Sequence, residues 1–358
     1  MLSLARASHA HSGGTWVMEI GMYQPRSGLL LLAALAKRWP VLTGYRARKG
    51  RAMHTTRRIF ALLLLFGLLA AACSSGGDAG GSDGPAASPD AYGQALAAAG
   101  RPVTAALAGI ANAKALQPLT QRLVDAEQAA GQAAEQLGGI TPPEEVRAEH
   151  SDLVQGFKQL HADLGGLRDA VKGHELCTAS VVMAGLGEAE GLVAVRDASK
   201  ALAAKGGGQS YNVGLVAPPP PKEQGGRPSN GQFVRKGSRT GRGELTVANG
   251  GQRDAVITLA VGKRPAFAVY VRKGAKHTVT GIQDGTYRVF YTNGSDWDLK
   301  ARAFGRDCSF DRFDDTLGFE TRQTATRTQW SAWTITLQRV AGGNASTSEV
   351  DPADFPAS

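Results

Sequence analysis

The chain has 358 residues, with 40 Lys/Arg against 31 Asp/Glu for a formal net charge of +9, and is 42 % hydrophobic. Ten of the basic residues and one acid, Glu19, fall in residues 1–72, so from Cys73 onward 30 basic and 30 acidic residues cancel. The basic balance therefore belongs to the leader and excludes a nucleic-acid binder defined by overall charge; three cysteines without a Cys-x-x-Cys pair exclude zinc and redox sites of that kind.

Residues 1–52 carry no pattern that defines a fold. Leu29 to Ala36 is apolar, but it falls far short of the ~20 residues a membrane-spanning helix needs. Three readings stay open: Met53 is the true start, the extension is discarded with a signal, or it holds an element of its own.

Residues 53–73 read as an export signal. Arg57 and Arg58 give a positive start, and 14 apolar residues follow from Ile59 to Ala72. That length suits a signal peptide and is too short to span a bilayer. Leu69-Ala70-Ala71-Ala72-Cys73 resembles the lipobox of bacterial lipoproteins, in which the cysteine sulfur receives a diacylglycerol and the cysteine becomes the first residue. The family places Leu three positions before the cysteine, where this chain has Ala70. Ala70-Ala71-Ala72 also fits simple secretion, and an uncleaved anchor is a third outcome. Thr56-Arg57-Arg58-Ile59-Phe60 resembles the twin-arginine export signal, although two arginines equally serve the ordinary route. Residues 74–87 are Gly/Ser/Asp-rich and read as a disordered tether.

Residues 88–205 read as a helical module. Ser88-Pro89-Asp90 is an N-cap followed by proline in the first turn. A helix follows, with a kink or break expected at Gly100 and Pro102. Leu116, Leu119, Leu123, Ala126, Ala130, Ala133 and Leu137 alternate gaps of three and four, a heptad seam that Gly138-Gly139 ends. Thr141-Pro142-Pro143-Glu144 reads as a capping box for a third helix with Val146, His150, Leu153, Phe157, Leu160, Leu164, Leu167 and Val171 inward. A fourth helix is expected over 175–204. Four helices with short joins predict an antiparallel bundle. His150 and His161 share a face, but no Glu-x-x-His pair exists, so they read as core or boundary residues and not as metal ligands.

Residues 206–242 are Gly-, Pro- and Lys/Arg-rich, with Pro218 to Pro221 in a row, and read as a semi-stiff, mostly disordered linker. From Gly243 the apolar period becomes two. Leu245 and Val247 alternate, then Ala255, Ile257, Leu259 and Val261, then Phe267, Val269 and Val271, with turns at Asn249-Gly250-Gly251, Lys273-Gly274 and Asp284-Gly285. Further strands are expected at Trp297 to Phe304, Phe319 to Thr324 and Trp330 to Val340. Some eight short strands over 243–341, before a tail at 342–358, predict an antiparallel β-sandwich. The whole is thus an α+β multidomain chain, an antiparallel helical bundle followed by an antiparallel β-sandwich. The two modules differ in charge: residues 88–205 hold ten basic and 14 acidic residues, and 222–358 hold 20 and 14, so the second leans toward an anionic surface.

The run Thr141 to Arg147 with the Leu-rich seam after it resembles the alanine-rich helical region of two-module lipoproteins of high-GC Gram-positive bacteria. Asp296-Trp297-Asp298, Cys308-x-Phe310-x-x-Phe313, the Trp330 to Leu337 strand and Gly342-Gly343-Asn344-Ala345 resemble their C-terminal domain. This resemblance implies no activity. Gly281-Ile282-Gln283-Asp284-Gly285-Thr286-Tyr287 resembles a turn of carboxypeptidase-regulatory and transthyretin-like sandwiches, which implies a Tyr287 that packs inward.

With Cys73 acylated, Cys177 and Cys308 remain. In an oxidising compartment they pair, closing a loop of ~130 residues worth ~4–5 kcal/mol, or they stay two buried thiols. Asp307, Asp311, Asp314, Asp315 and Glu320 are expected in one long loop, where Arg306 and Arg312 neutralise them and the spacing is not that of an EF-hand. Tyr287, Tyr291, Asp296, Trp297 and Asp298 form a candidate carbohydrate patch, in which flat rings stack on sugar and carboxylates accept hydroxyls; the competing reading puts the rings in the core. No Gly-x-Ser-x-Gly, His-Glu-x-x-His or phosphate loop occurs. The sequence therefore predicts a non-catalytic surface lipoprotein tied to the membrane through Cys73, without cofactor, metal or catalytic residues. Its sandwich would bind a protein or an envelope polymer, not nucleic acid. The alternative is a secreted hydrolase with a site assembled from scattered residues.

Overall fold

The computed structural model describes residues 85–206, 211–219, 226–338 and 345–356, together with the backbone of 4–9 and 15–20. Cys73 and the signal lie outside the described residues. The chain is α+β, with five α-helices and two sheets among the described residues.

Helix α1 is Pro89–Ala111, α2 Leu116–Gly138, α3 Arg147–Lys172, α4 Ala179–Gly187 and α5 Glu190–Lys205. The Ser88 hydroxyl accepts the Ala91 N–H at 3.4 Å, and Pro89 needs no partner for a missing N–H. Contrary to the expected interruption, α1 runs unbroken through Gly100 and Pro102. All seven seam residues of α2 are buried. Alanines at five of its nine buried positions let α3 come close.

Thr141 caps nothing. A 3₁₀ turn over Glu144–Val146 precedes α3, and the Thr141 carbonyl accepts from the Ala87 N–H at 2.9 Å instead. The cause is the proline pair: Pro143 drives the residue before it out of the helical region, so a helix cannot begin there. The fourth helix is in fact two, α4 and α5, broken at Glu188 and Ala189. A Cβ on Gly191 would lie 2.1 Å from the Leu160 backbone nitrogen, so α5 rides directly on the α3 backbone. α4 packs against α1, α3 and β9. Gly191→Ala is expected to cost about 2–3 kcal/mol in urea unfolding, because backbone cannot yield as a side chain would.

Strands β1 Leu4–His9 and β2 Thr15–Ile20 precede β3 Phe233–Arg235, β4 Gly243–Asn249, β5 Asp254–Val261, β6 Arg264–Val271, β7 Ala275–Ile282, β8 Gly285–Asp298, β9 Ala303–Phe319, β10 Thr321–Gln323, β11 Thr328–Thr336 and β12 Thr347–Glu349. The first sheet is antiparallel throughout, in the order β12-β9-β8-β5-β6-β3. The second runs β1-β2-β11-β4-β7, with β10 on β11 and the β11 pairings to β2 and β4 parallel. Residues 1–52, which the sequence left without a fold, thus contribute a hairpin. Its β2 lies along β11, a strand with no charge or proline to protect an open edge.

One face of the first sheet shares a core with the second sheet, where Ile257, Val269, Val289 and Phe313 meet Leu245, Val247, Val279 and Ile335. Its other face shares the helical core, through Val256, Ala268, Tyr270, Trp297, Phe304 and Cys308. This explains why β5 is buried at every position from Ala255 to Ala260. The linker reading is corrected in part. Tyr211 and Val213 are buried in the helical core, the Tyr211 ring edge-on to Tyr92 at 5.2 Å. The Thr104 hydroxyl donates to the Gly214 carbonyl and accepts from the Val216 N–H. Two apolar anchors in a Gly/Pro-rich stretch suffice to dock it.

The expected acidic loop is the strand β9. Asp307, Asp311, Asp314 and Asp315 are interspersed on it with Cys308, Phe313 and Leu317, which are buried, and Glu320 directly follows it. Acids favour turns, but here the interleaved apolar positions decide. The expected strand from Trp297 to Phe304 is instead the end of β8, a turn over 299–302 and the start of β9, and in the turn the Asp298 carboxylate accepts the Lys300 and Ala301 N–H groups, both at 2.8 Å.

Candidate ligand cleft

Cys177 and Cys308 are joined in a disulfide across 131 residues of sequence. Beside it, residues 174–177 run along β9 like an added strand. The Cys177 N–H donates to the Gly305 carbonyl at 2.8 Å, Asp307 to Glu175 at 3.1 Å and Cys308 to His174 at 3.0 Å. This brings the start of α4 over the β8–β9 hairpin. Between them and the β5–β6 end of the first sheet lies a cleft of about 430 Å³.

Its floor is aromatic. The Trp297 ring sits edge-on to Tyr270 at 5.4 Å and to Phe304 at 5.0 Å. Its wall is a charge cluster around Asp254, the first residue of β5. Arg227 donates two hydrogen bonds to the Asp254 carboxylate, each 2.7 Å, the Tyr270 hydroxyl donates a third at 2.5 Å, and the Lys273 N–H a fourth at 2.8 Å. Burial alone would push this carboxyl up. Arg227, Tyr270 and the Lys273 N–H outweigh it and bring it to about 2. Burial and then the adjacent Asp254 carboxylate push the Tyr270 phenol up.

The rim is acidic and basic by turns. Arg306 pairs with Asp296 at 2.9 Å, Arg253 approaches Asp307 at 3.7 Å, and the Ser180 hydroxyl on α4 donates to Asp298 at 2.5 Å. Asp296 and Asp307 both have left-handed backbones, φ 54° and 50°. Aspartate tolerates that region better than most side chains.

The sequence-derived patch is therefore split. Asp296, Trp297 and Asp298 line the cleft. Tyr287 and Tyr291 are 6 % and 3 % exposed and lie in the core between the sheets, against Phe319 and Phe313. All three rings stand at odd positions of one strand and would share a face, but a register shift between Asn293 and Ser295 turns Trp297 to the other side. Trp297 is itself only 4 % exposed, so its ring offers a sugar no open face.

Sequence reasoning missed Arg227, Asp254, Tyr270 and Arg306, which four separate segments bring together. The one local signal was an aspartate three residues past the Gly250-Gly251 turn, at a strand's first position. His150 is buried against the Tyr92 hydroxyl at 3.0 Å, and burial lowers its pKa. His161 faces the Glu127 carbonyl, so the two histidines have separate partners. Among the described residues no group of three or more His, Cys, Asp or Glu is placed to hold a metal, and no helix is long and apolar enough to cross a membrane. No family model matches the chain, and no curated protein or solved structure is similar to it.

Proposed function

We propose that this is a lipid-anchored extracytoplasmic protein, an antiparallel helical bundle followed by a β-sandwich, that binds a polar component of the cell envelope without catalysis. The observation that carries this reading is the Cys177–Cys308 bond. Disulfides persist in oxidising compartments, and this support is independent of the signal-like stretch that ends at Cys73. The cleft favours binding over proton transfer. A carboxyl held near 2 by three partners stays ionised at neutral pH, whereas a general acid or base works near the ambient pH. The rim offers Arg306, Arg253 and Lys273 alongside Asp296 and Asp298, which suits a protein segment or polymer that carries both charge and hydroxyls. Alkylation of intact cells tests the reading: Cys177 and Cys308 should label only after reduction. Free thiols at both positions before reductant contradict it.

A further inference from the structure

We propose that the basic strand edge over residues 233–242 docks the protein onto an anionic phospholipid surface. Residues 235–242 carry Arg235, Lys236, Arg239 and Arg242 and no acid. The backbone that presents them is held at both ends. Phe233 and Arg235 pair with Val269 and Ala268 at the edge of the first sheet. Further on, the Gly241 N–H donates to the Gly281 carbonyl at 3.0 Å, and Gln283 donates to the Thr240 hydroxyl at 2.9 Å, at the edge of the second. The segment thus bridges the two sheet edges. Lys236, Arg239 and Arg242 are exposed on it, as is Lys276 on the adjoining β7.

These cations are uncommitted. Arg227, Arg253, Arg306 and Arg322 each have a carboxylate, but none of Arg235, Lys236, Arg239 and Arg242 has one among the described residues. The Arg239 guanidinium lies 4.0 Å above the Phe233 ring, which holds the charge in place without neutralising it. The neighbouring acids are engaged elsewhere: Asp284 accepts the Thr321 N–H and hydroxyl, and Glu244 accepts the Trp330 indole.

A bilayer is the fitting source of negative charge. Among the described residues, the Phe233 ring on this edge is covered by Arg239, so it offers the bases of a single strand no stacking platform. An acyl anchor at Cys73 would hold the protein beside a leaflet, so that a bilayer is the anionic surface it meets most. That choice of source rests on the anchor reading; the charge argument does not. An acyl anchor and a basic patch together fix orientation, where an anchor alone leaves the body free to turn.

The test uses the full chain with Cys73→Ser, which carries no acyl group, and vesicles of phosphatidylcholine alone or mixed equally with phosphatidylglycerol. Binding to the mixed vesicles should weaken roughly 100-fold in the R235Q/K236Q/R239Q/R242Q variant. It should be kept in R235K/R239K/R242K, and fall as salt rises. On pure phosphatidylcholine, parent and variant should match. Equal binding of parent and glutamine variant to the mixed vesicles overturns the proposal. So does a parent that ignores vesicle charge, which would report the apolar run 59–72 alone, or equal affinity for soluble polyphosphate, which would assign the edge to a polymer. A native chain without acyl group at Cys73 would remove the anchor yet leave the vesicle result standing, so the two failures are distinguishable.

Discussion

Replacing Cys177 and Cys308 together by serine is expected to lower the melting temperature by roughly 10–20 °C. The bond closes a loop of 131 residues, and the loop-entropy relation puts the stabilisation at about 5 kcal/mol. The effect should also be local. Residues 174–177 lie against β9 through three backbone hydrogen bonds, and the segment leads directly into α4 and Ser180 on the rim of the cleft. Without the covalent tie, the amides of Cys308, Asp307 and residue 177 should exchange faster than the α2 and α3 core. Thermal melts with and without reductant, followed by amide exchange, measure both. A melt that reductant leaves unmoved would remove the disulfide from the account of stability.

Asp254→Ala is expected to cost roughly 3 kcal/mol, because it leaves the buried Tyr270 hydroxyl without its acceptor and releases the half-exposed Arg227 guanidinium to water. Tyr270 is 1 % exposed and would keep its phenol dry and unpaired. The parent should also depend on acid in a way the variant does not. In the folded chain the Asp254 carboxyl lies at about 2 against an ordinary 3.8, so on acidification the unfolded chain takes up the proton first. Stability from this group is complete above pH 4 and drains as pH falls toward 2, by about 2 kcal/mol in all. Urea midpoints of parent and variant at pH 5, 3 and 2 should converge. Parallel curves would show that the cluster does not hold the carboxylate as its geometry requires.

The helical seams were legible because seven of the nine buried positions of α2 and most of those of α3 follow one rule of spacing. What the seams did not reveal was the break between α4 and α5. It depends on the backbone contact of Gly191 with α3, which is a property of two helices and not of one. Period-two patterns found β4 to β7, yet they suggested half-exposed strands. The unbroken apolar run from Ala255 to Ala260, with Thr258 inside it, was the sign that the helices cover the second face. β9 was hidden by its own aspartates. The cleft was the least legible part. Asp254, Arg227 and Tyr270 meet only through the pairing of β5 with β6 and the docking of residues 226–230, and Trp297 joins them only because a bulge reverses its side of β8.

The intact mass of the native protein extracted from membranes tests the central claim most directly. The result predicted is a chain that begins at Cys73, heavier by a diacylglycerol, and lighter by two hydrogens for the bond between Cys177 and Cys308. A chain that begins at Met1 or Met53, unmodified and with its thiols free, would contradict it.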